Sequence, residues 1–334
     1  MTQGNYIFRL FDIMEEFGED TDVPLALIKS EQDPVRWFYF RHQEVDGVGA
    51  FYLAQKRQGV QIEIPRYRGA VPKTWQRFIL AWRKFRTQTP APVQWRHWQP
   101  SADGKVKKHS QALLGQLLTE DQTRQAQARA KQLNVTMNSL LLWSLNAAVA
   151  PVLTLPQAER AWGNTVNMRG QVAAEKITDN QSSIVTVVFS DEDSAVQLHG
   201  KIQALFNAGM QWGSWDFLST VCRVGPNLVR KQIRRYYSNN NSQMGTFSNL
   251  GVWNWDVDSE QAPYMYFAPC CTRTAPIAAA AGTLNGRLSM TLGLHSFLQT
   301  SDQQIATCMN RWVALLLGTE PGVIAPVPEP AESA

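Results

Sequence analysis

The sequence feature that most restricts the fold is a polar hexapeptide between a strand-like and a helix-like segment. It reads His42-Gln43-Glu44-Val45-Asp46-Gly47. The aromatic residues at 37–40 predict a short buried strand before it, as does the apolar run at 25–28 upstream. Gly47 and Gly49 permit a tight turn into a helix predicted over about 48–58. The chain therefore holds a histidine and an aspartate four residues apart in a loop between two regular elements.

The remainder of the chain alternates between helical and strand periodicity, which predicts an α/β fold. Thr119 is a good helix cap, and helices are expected over about 119–133 and 138–153, the second deeply buried. Asn285-Gly286 is a strong signal for a type I′ hairpin between strands at 277–284 and 287–295. Other strands are expected near 165–168, 184–189 and 245–250, with 184–189 central in its sheet, and other helices near 195–209, 227–237 and 302–317.

The length of 334 residues favours two domains, or two halves fused around one cleft. Pro151 and Pro156 indicate the boundary. We therefore expect a first half over 1–156, which carries the hexapeptide, and a second half over 157–318. The segment 319–334 contains four prolines and no aromatic residue, which predicts a disordered tail.

The cysteines and the N-terminal segment bear on the cellular compartment. Adjacent Cys270 and Cys271, with Cys222 and Cys308, do not suit the disulfide framework of a small secreted protein and predict reduced, packed thiols. The first 22 residues are too acidic for a targeting peptide. No apolar run approaches about 20 residues, the length of a transmembrane helix. We therefore expect a cytoplasmic location without a transmembrane segment.

Positive charge is concentrated in one segment. Between Lys56 and Lys108 there are thirteen Lys and Arg residues against two acids, Glu63 and Asp103, whereas the formal charge of the whole chain is +4. Such a segment suits an anionic partner, such as phosphate groups or an acidic protein surface. The candidate contacts for such a partner are Arg83, Lys84, Lys105, Lys107 and Lys108.

Within this segment an amphipathic helix is expected over about 72–86. Its apolar residues recur at helical spacing at Trp75, Phe78, Ile79, Trp82 and Phe85. The favoured interpretation is that this stripe packs into the core and the cations form a solvated face. Peripheral contact with a membrane surface is an alternative. Nucleic acid is not expected as a partner because no recognised binding module is present, although a basic surface binder of nucleic acid or lipid is a third function class to test.

The hexapeptide resembles the His-x-x-x-Asp-Gly signature of the acyltransferase superfamily that includes chloramphenicol acetyltransferase, the condensation domains of peptide synthetases and alcohol acyltransferases. The resemblance extends in order over most of the chain, from about Trp37 to Gly318. Many members carry a first histidine where this chain has Arg41. Four further segments carry the resemblance: Asn134-Val135-Thr136-Met137-Asn138-Ser139-Leu140, Val166-Asn167-Met168-Arg169-Gly170, Asn180-Gln181-Ser182-Ser183 and Ser248-Asn249-Leu250-Gly251.

The resemblance implies a chloramphenicol acetyltransferase-like fold of two similar halves, each a mixed sheet with helices, around a central tunnel. It also implies that Asp46 and Gly47 hold the loop and that Asp46 pairs with an arginine, for which Arg169 is the candidate. The segment at 248–251 has an equally weighted alternative as a strand-end turn. Candidates for oxyanion or substrate contacts are Ser248, Asn249 and Asn167.

The residue types fit this chemistry independently. An imidazole with a pKa of about 6.5 can remove a proton from a hydroxyl or amine at neutral pH, so His42 is the candidate general base. Asp46 need not face the imidazole, so a Ser-His-Asp arrangement is not required. A buried histidine satisfied by the backbone is the alternative for His42. The other four histidines lack partners at ligand spacing, and no zinc site is evident.

The implied reaction is transfer of an acyl group from a thioester, on coenzyme A or an acyl carrier protein, to the hydroxyl or amine of a small-molecule acceptor. Such reactions belong to lipid or specialised-metabolite biosynthesis. Neither a metal nor a tightly bound cofactor is expected, since the thioester is a co-substrate. The alternative is a catalytically silent relative that binds an acylated carrier or a partner protein, and it is motivated by the short segment before His42.

Overall fold

The computed structural model describes residues 6–30, 34–60, 62–67, 69–86, 91–100, 104–172, 174–238, 242–254 and 263–319. The helices within these residues are α1 (Tyr6–Glu16), α2 (Gly47–Arg57), α3 (Thr74–Arg86), α4 (Glu120–Gln132), α5 (Met137–Leu153), α6 (Ala195–Asn207), α7 (Met210–Val224), α8 (Pro226–Ser238) and α9 (Asp302–Leu317). The strands are β1 (Asp22–Ile28), β2 (Phe38–Arg41), β3 (Ala112–Leu117), β4 (Arg160–Asn167), β5 (Ser182–Phe189), β6 (Gly245–Trp253), β7 (Tyr264–Phe267), β8 (Ile277–Leu284) and β9 (Arg287–Leu294).

The strands form two sheets. The smaller has the order β2-β1-β7 and is antiparallel throughout. The larger has the order β3-β9-β8-β6-β4-β5, and it is mixed because β6 runs parallel to both β4 and β8. The predicted α/β class is confirmed.

Each sheet contains a strand from the other half of the chain. β3 precedes the predicted boundary but pairs with β9 in the larger sheet, whereas β7 follows the boundary but pairs with β1 in the smaller one. The two sheets are therefore unequal and are hydrogen-bonded across the boundary at residue 156. The division into domains at 1–156 and 157–318 stays a prediction, as does the central tunnel.

Most predicted elements occur close to their expected bounds. β5, however, lies at the edge of its sheet rather than at the centre, and its side chains alternate between buried and half-buried positions, as on a strand with one covered face. β2 is an edge strand too, and Phe38 on it is 55% exposed, so it is not the buried strand that its aromatic residues predict. The sequence patterns did not predict α1, α7, β3 or β7. The tail expected over 319–334 lies outside the described residues except for Thr319.

The largest core cluster lies where α5 and α9 pack on the larger sheet. Trp162, Phe247 and Trp312 are fully buried there, and the Trp312 indole donates to the carbonyl oxygen of Leu141 at 3.0 Å. A second cluster joins Val45, within the hexapeptide, to apolar residues of β6, β7 and β8. This second cluster packs the hexapeptide against strands of both sheets.

Two expectations from composition can be compared with the structure. All four cysteines are free thiols and buried, as predicted. In the part of the chain that the structure describes, no single helix is long and apolar enough to span a bilayer. α4 and α5 pass that test only as a pair, and the pair is bent by 101°.

The orientation of α3 is opposite to the expected one. The helix buries Leu80 and turns Arg77 and Lys84 inward, towards α7 and β5. The interpretation of its aromatic stripe as core is therefore wrong, because α7 presents Gly213 and Asp216 to the opposite side of the helix. The residues left exposed are Trp75, Phe78, Ile79, Trp82 and Phe85.

Candidate active site

His42 begins the loop that joins β2 to α2, and its Nδ1 lies 3.0 Å from the carbonyl oxygen of Val45. Because a carbonyl oxygen can only accept, Nδ1 carries the ring proton and Nε2 is the unprotonated nitrogen. The ring is half-buried and packs against Phe11, with 4.4 Å between ring centroids. Burial lowers the pKa of His42 below 6.5, although the Val45 carbonyl and the charge of Asp46 raise it. The neutral imidazole therefore predominates at neutral pH.

Asn180, at the start of β5, holds the backbone of His42. Its Nδ2 donates to the carbonyl oxygen of His42 at 2.9 Å and lies 3.1 Å from the Nδ1 of the ring. The Oδ1 of Asn180 accepts from the backbone N–H of Ser182 at 3.2 Å, which fixes the end of the amide that faces His42. A residue of the second half thus orients the histidine of the first half.

Asp46 does not act on the imidazole by hydrogen bonding; it caps α2 and accepts from the backbone N–H of Gly49 at 2.9 Å. Three donors come from the second half of the chain: Arg169 through both terminal nitrogens, the Gln181 backbone N–H at 3.1 Å and the Ser182 hydroxyl at 2.8 Å. Burial raises the pKa of the Asp46 carboxyl, but the charge and hydrogen bonds of Arg169 outweigh it and hold the pKa below its usual value. Asp46 is therefore an ionised anchor of the loop.

Arg169 is fully buried, and its pairing with Asp46, expected from the sequence, is present. The guanidinium also donates to the carbonyl oxygens of Ile177 at 2.9 Å and Asp179 at 3.0 Å. A buried cation is tolerated only when it is paired and hydrogen-bonded, and both conditions hold here. The pair ties the hexapeptide to the loop before β5.

Asn167 was expected to contact oxyanion or substrate, and this assignment stays a prediction. Its Oδ1 accepts from both the backbone and the side chain of Arg169, at 3.1 Å each, and its Nδ2 donates to the carbonyl oxygen of Pro65 at 2.7 Å. The amide is thus committed to protein contacts at both ends. Asn167 positions Arg169.

Gly47 and Gly49 are required by close contacts. A methyl group on Gly47 would lie 2.3 Å from the ring of Phe267 in β7, and one on Gly49 would lie 2.1 Å from the carbonyl oxygen of Thr178. A side chain at either position would push α2 away from the second half of the chain. The glycine of the motif therefore permits close packing at the boundary between the halves.

The segment at 248–251 is a bulge within β6 and not a strand-end turn. Asn249 Oδ1 accepts from the backbone N–H of Gly251 at 2.9 Å, and Gly251 has a φ of 82°. Among the contacts of the described residues, no hydrogen bond joins Ser248 or Asn249 to His42. Their assignment as oxyanion or substrate contacts stays a prediction.

Three candidate cations lie near the strand end at which the His42 loop begins. Lys105, Lys107 and Lys108 are exposed. Lys108 Nζ is 3.7 Å from the carboxylate of Asp22. Asp22 in β1 lies opposite Arg41 in β2, and Arg41 is the residue before His42. The tertiary structure therefore brings this lysine segment to the same end of the smaller sheet as the histidine.

The other two candidate cations, Arg83 and Lys84, lie on α3. Lys84 Nζ is 3.4 Å from the hydroxyl of Thr186 in β5, and burial lowers the pKa of the Lys84 ammonium. Lys84 thus faces the protein, and its assignment as a contact for phosphate or a carrier stays a prediction. Arg83 is exposed.

Three other histidines have partners that spacing along the chain did not reveal; for His295, Nε2 lies 3.8 Å from Glu19 Oε2. His199 Nδ1 lies 2.9 Å from the Ser139 hydroxyl, and His109 Nε2 lies 3.1 Å from Asp22 Oδ2. Asp20, Asp22 and His109 also bring possible metal-ligand atoms within 4.8 Å of one another. Because Asp20 already accepts the backbone N–H groups of Asp22 and His109, hydrogen bonds account for the cluster, and we assign no metal to it.

Two residues at the site were not identified as functional from the sequence. Phe11 lies on α1. The helix could have been predicted from the helical spacing of apolar residues within an acidic segment, at Leu10, Phe11, Ile13 and Phe17. Asn180 was noted only for its place in the order of motifs. Its contact with His42 joins residues 138 positions apart, so only the folded chain reveals it.

No protein-family profile and no curated protein match the sequence. The structure is similar to several solved structures. The epimerization domain from the third module of tyrocidine synthetase B is 19% identical, with a TM-score of 0.51, over 89% of this chain and 71% of that one. A trichothecene 15-O-acetyltransferase from Fusarium sporotrichioides is 11% identical, with a TM-score of 0.53, over 84% of this chain and 65% of that one.

A wax ester synthase/diacylglycerol acyltransferase from Marinobacter aquaeolei VT8 is 13% identical, with a TM-score of 0.50, over 92% of this chain and 76% of that one. At these identities the similarity establishes the fold, and function has to be argued from the site. The chain spans between about two thirds and three quarters of these three proteins.

Proposed function

Because the chain has the chloramphenicol acetyltransferase-like fold of condensation domains and acyltransferases, we propose that it is an acyltransferase. It would move an acyl group from a thioester, on coenzyme A or an acyl carrier protein, to the hydroxyl or amine of a small-molecule acceptor. The observation that carries the proposal is the geometry of His42. Its Nδ1 is tied to the Val45 carbonyl, which leaves Nε2 as a proton acceptor.

In the proposed step, Nε2 of His42 removes the proton from the acceptor while the acceptor oxygen or nitrogen attacks the thioester carbonyl carbon. The tetrahedral intermediate then collapses as the carbon–sulfur bond breaks. The imidazolium returns its proton to the leaving thiolate, so a free thiol is released and no acyl-enzyme forms. The lowered pKa of His42 supports this role because the base is unprotonated at neutral pH.

The surrounding residues support the step by position. Val45 holds the imidazole through Nδ1, and Asn180 holds the backbone carbonyl of His42. Together these two contacts set the direction of Nε2. The Asp46–Arg169 pair fixes the loop that carries both contacts. We assign the oxyanion donors to the Ser248-Asn249 segment, because its neighbour Leu250 shares a core cluster with Val45. Lys105, Lys107 and Lys108 would contact the phosphates of the donor or an acidic carrier.

The test is thiol release from a panel of short to long acyl-coenzyme A donors, with mixed alcohol and amine acceptors. His42→Ala is expected to lower acceptor-dependent release by about 10²-fold or more. His97→Ala is the matched control, since His97 is exposed, and it should retain activity. Full activity in a folded His42→Ala variant would contradict the mechanism.

A catalytically silent binder gives a different pattern. It releases no thiol from coenzyme A donors or from acylated carrier protein, but it binds the carrier. Its affinity then falls when Lys105, Lys107 and Lys108 are changed to Gln and is unaffected by His42→Ala. The two functions are distinguished by running both measurements on the same variants.

A further inference from the structure

The exposed side of α3 is an apolar surface that the proposed acyl transfer does not use. We call it the aromatic face; its residues and exposed fractions are Trp75 62%, Phe78 75%, Ile79 41%, Trp82 53% and Phe85 61%. Single exposed apolar residues are normal, but several large ones on one helix mark an interaction site. The rings of Trp82 and Phe85 are 5.5 Å apart, and Phe85 lies 6.1 Å from Phe217 of α7. At Phe85 the aromatic face therefore reaches a ring of α7.

The opposite side of α3 holds the helix in this orientation. Arg77 donates to both carboxylate oxygens of Asp216 at 2.8 and 2.5 Å, and its guanidinium lies 4.7 Å from the ring centroid of Trp212. A methyl group on Gly213 would lie 2.6 Å from the carbonyl oxygen of Leu80, so the two helices touch at their backbones. Turning the aromatic face inward would break these contacts. Its exposure is therefore a consequence of the packing of α3 on α7.

We propose that the aromatic face binds the surface of an anionic lipid bilayer. α3 contains no acidic residue. Arg86 is exposed and follows Trp82 by four residues, so it lies on the same face as the aromatic rings. Aromatic side chains combined with cations are typical of helices that lie in the membrane interface, where the rings enter the headgroup region and the cations meet lipid phosphates.

Charge pattern favours lipid over a protein partner as the occupant. Aromatic residues and Arg also occur at protein–protein interfaces, but Lys is depleted there. Here Lys73 is exposed just before α3, Arg83 and Arg86 are exposed in its last turn, and the helix contains no acidic residue. Exposed positive charge around the rings is complementary to lipid phosphates. A helix bound in this way lies along the bilayer and does not cross it. The proposal does not depend on acyl transfer, because vesicle binding is measured without substrate.

The test is flotation of the full chain with vesicles of phosphatidylcholine alone and with vesicles of equal parts phosphatidylcholine and phosphatidylglycerol. We expect binding to the anionic vesicles and much weaker binding to the neutral ones. The double variant Phe78→Ser/Trp82→Ser should lower the partition coefficient by about tenfold or more, because two rings no longer leave water. Arg86→Gln should lower it by about fivefold on anionic vesicles only. Phe38→Ser, which changes an aromatic residue on β2 that is 55% exposed, is the matched control and should bind as the wild type.

Light scattering on the same samples identifies the competing occupants. If the wild type floats with neither vesicle, the proposal is overturned. If it forms dimers that Phe78→Ser/Trp82→Ser dissociates, the aromatic face is a self-association surface, and the proposal is overturned as well. Unchanged circular dichroism and thermal midpoint in each variant are expected because the substituted side chains are exposed. An unfolded double variant is replaced by Phe78→Ser alone, whose side chain is the most exposed of the face.

Discussion

Replacement of Asp46 by Asn tests whether the buried ion pair holds the candidate site together. The side chain keeps its size and can still accept the Gly49 N–H that caps α2. It loses its negative charge, and one of its oxygens becomes an NH₂ group facing donors from Arg169, Gln181 or Ser182. Arg169, whose side chain is fully buried, is then left without its counter-charge.

The expected cost is large because neither charge can return to water in the folded state. Breaking a buried, hydrogen-bonded pair by removing one partner costs about 3–5 kcal/mol of unfolding free energy. Because the pKa of Asp46 is lowered in the folded protein, this stabilisation is complete above about pH 3.8, the usual value for the carboxyl. It is lost as the pH falls through the lower pKa of the folded state.

The assay is urea unfolding at neutral pH, followed by circular dichroism, for the wild type and Asp46→Asn. The matched control is Glu16→Gln, which breaks the exposed ion pair between Glu16 on α1 and Arg230 on α8. That variant should unfold almost as the wild type does, because exposed pairs contribute little. In addition, Arg169→Met combined with Asp46→Asn should cost less than the sum of the single variants, since the pair is removed only once.

If Asp46→Asn lowers the free energy of unfolding by less than about 1 kcal/mol, which is the range of an exposed ion pair, this reasoning is refuted. It would mean that water reaches Arg169 or that the loop adapts without it. Equal losses in Asp46→Asn and Glu16→Gln would refute it in the same way.

Further predictions concern the glycines and the base. Gly49→Ala should destabilise the protein and abolish activity, because its methyl group would meet the Thr178 carbonyl oxygen. The control is Gly200→Ala in α6, where a methyl group would have no atom within 4 Å. In thermal unfolding this control should be neutral or stabilising by up to about 1 kcal/mol. Burial lowers the pKa of His42, so kcat/KM should fall at acid pH with an apparent pKa below 6.5 and stay level at higher pH. An apparent pKa above 6.5 for this fall would exclude His42 as the titrating base. Asn180→Ala should lower kcat by up to about 100-fold and cost about 1–3 kcal/mol of unfolding free energy, because the buried side chain bonds the His42 carbonyl and the Ser182 N–H. An unchanged kcat in the folded variant would show that Asn180 does not position the ring.

Local elements could be predicted because their signals lie within a few residues. Thr119 caps α4 in a capping box with Gln122, as its position before a helical pattern predicts. Asn285 and Gly286 both have positive φ and join β8 to β9 in a two-residue turn. β7 was not predicted; a four-residue run carries weak periodicity, and β2, equally short, was found beside the hexapeptide.

The candidate site was predictable in part. The order of motifs was enough to select His42 as the candidate base and Arg169 as the partner of Asp46, and the structure shows that ion pair. The sequence did not reveal the hydrogen-bond partners of Asn167 or Lys84, because a residue type does not show where its polar atoms point. Those directions depend on Pro65 and Thr186, which are distant in sequence.

The sequence by itself determined the hydrophobic periods, the helix caps and the tight turns, since each depends on neighbouring residues. The tertiary structure decided which side of each element is covered. α3 shows the physical reason: its aromatic side is the more apolar, yet the helix buries the side with Arg77 and Leu80. That choice depends on Asp216 and Gly213 of α7, more than 130 residues away, and a periodicity confined to α3 contains no information about them.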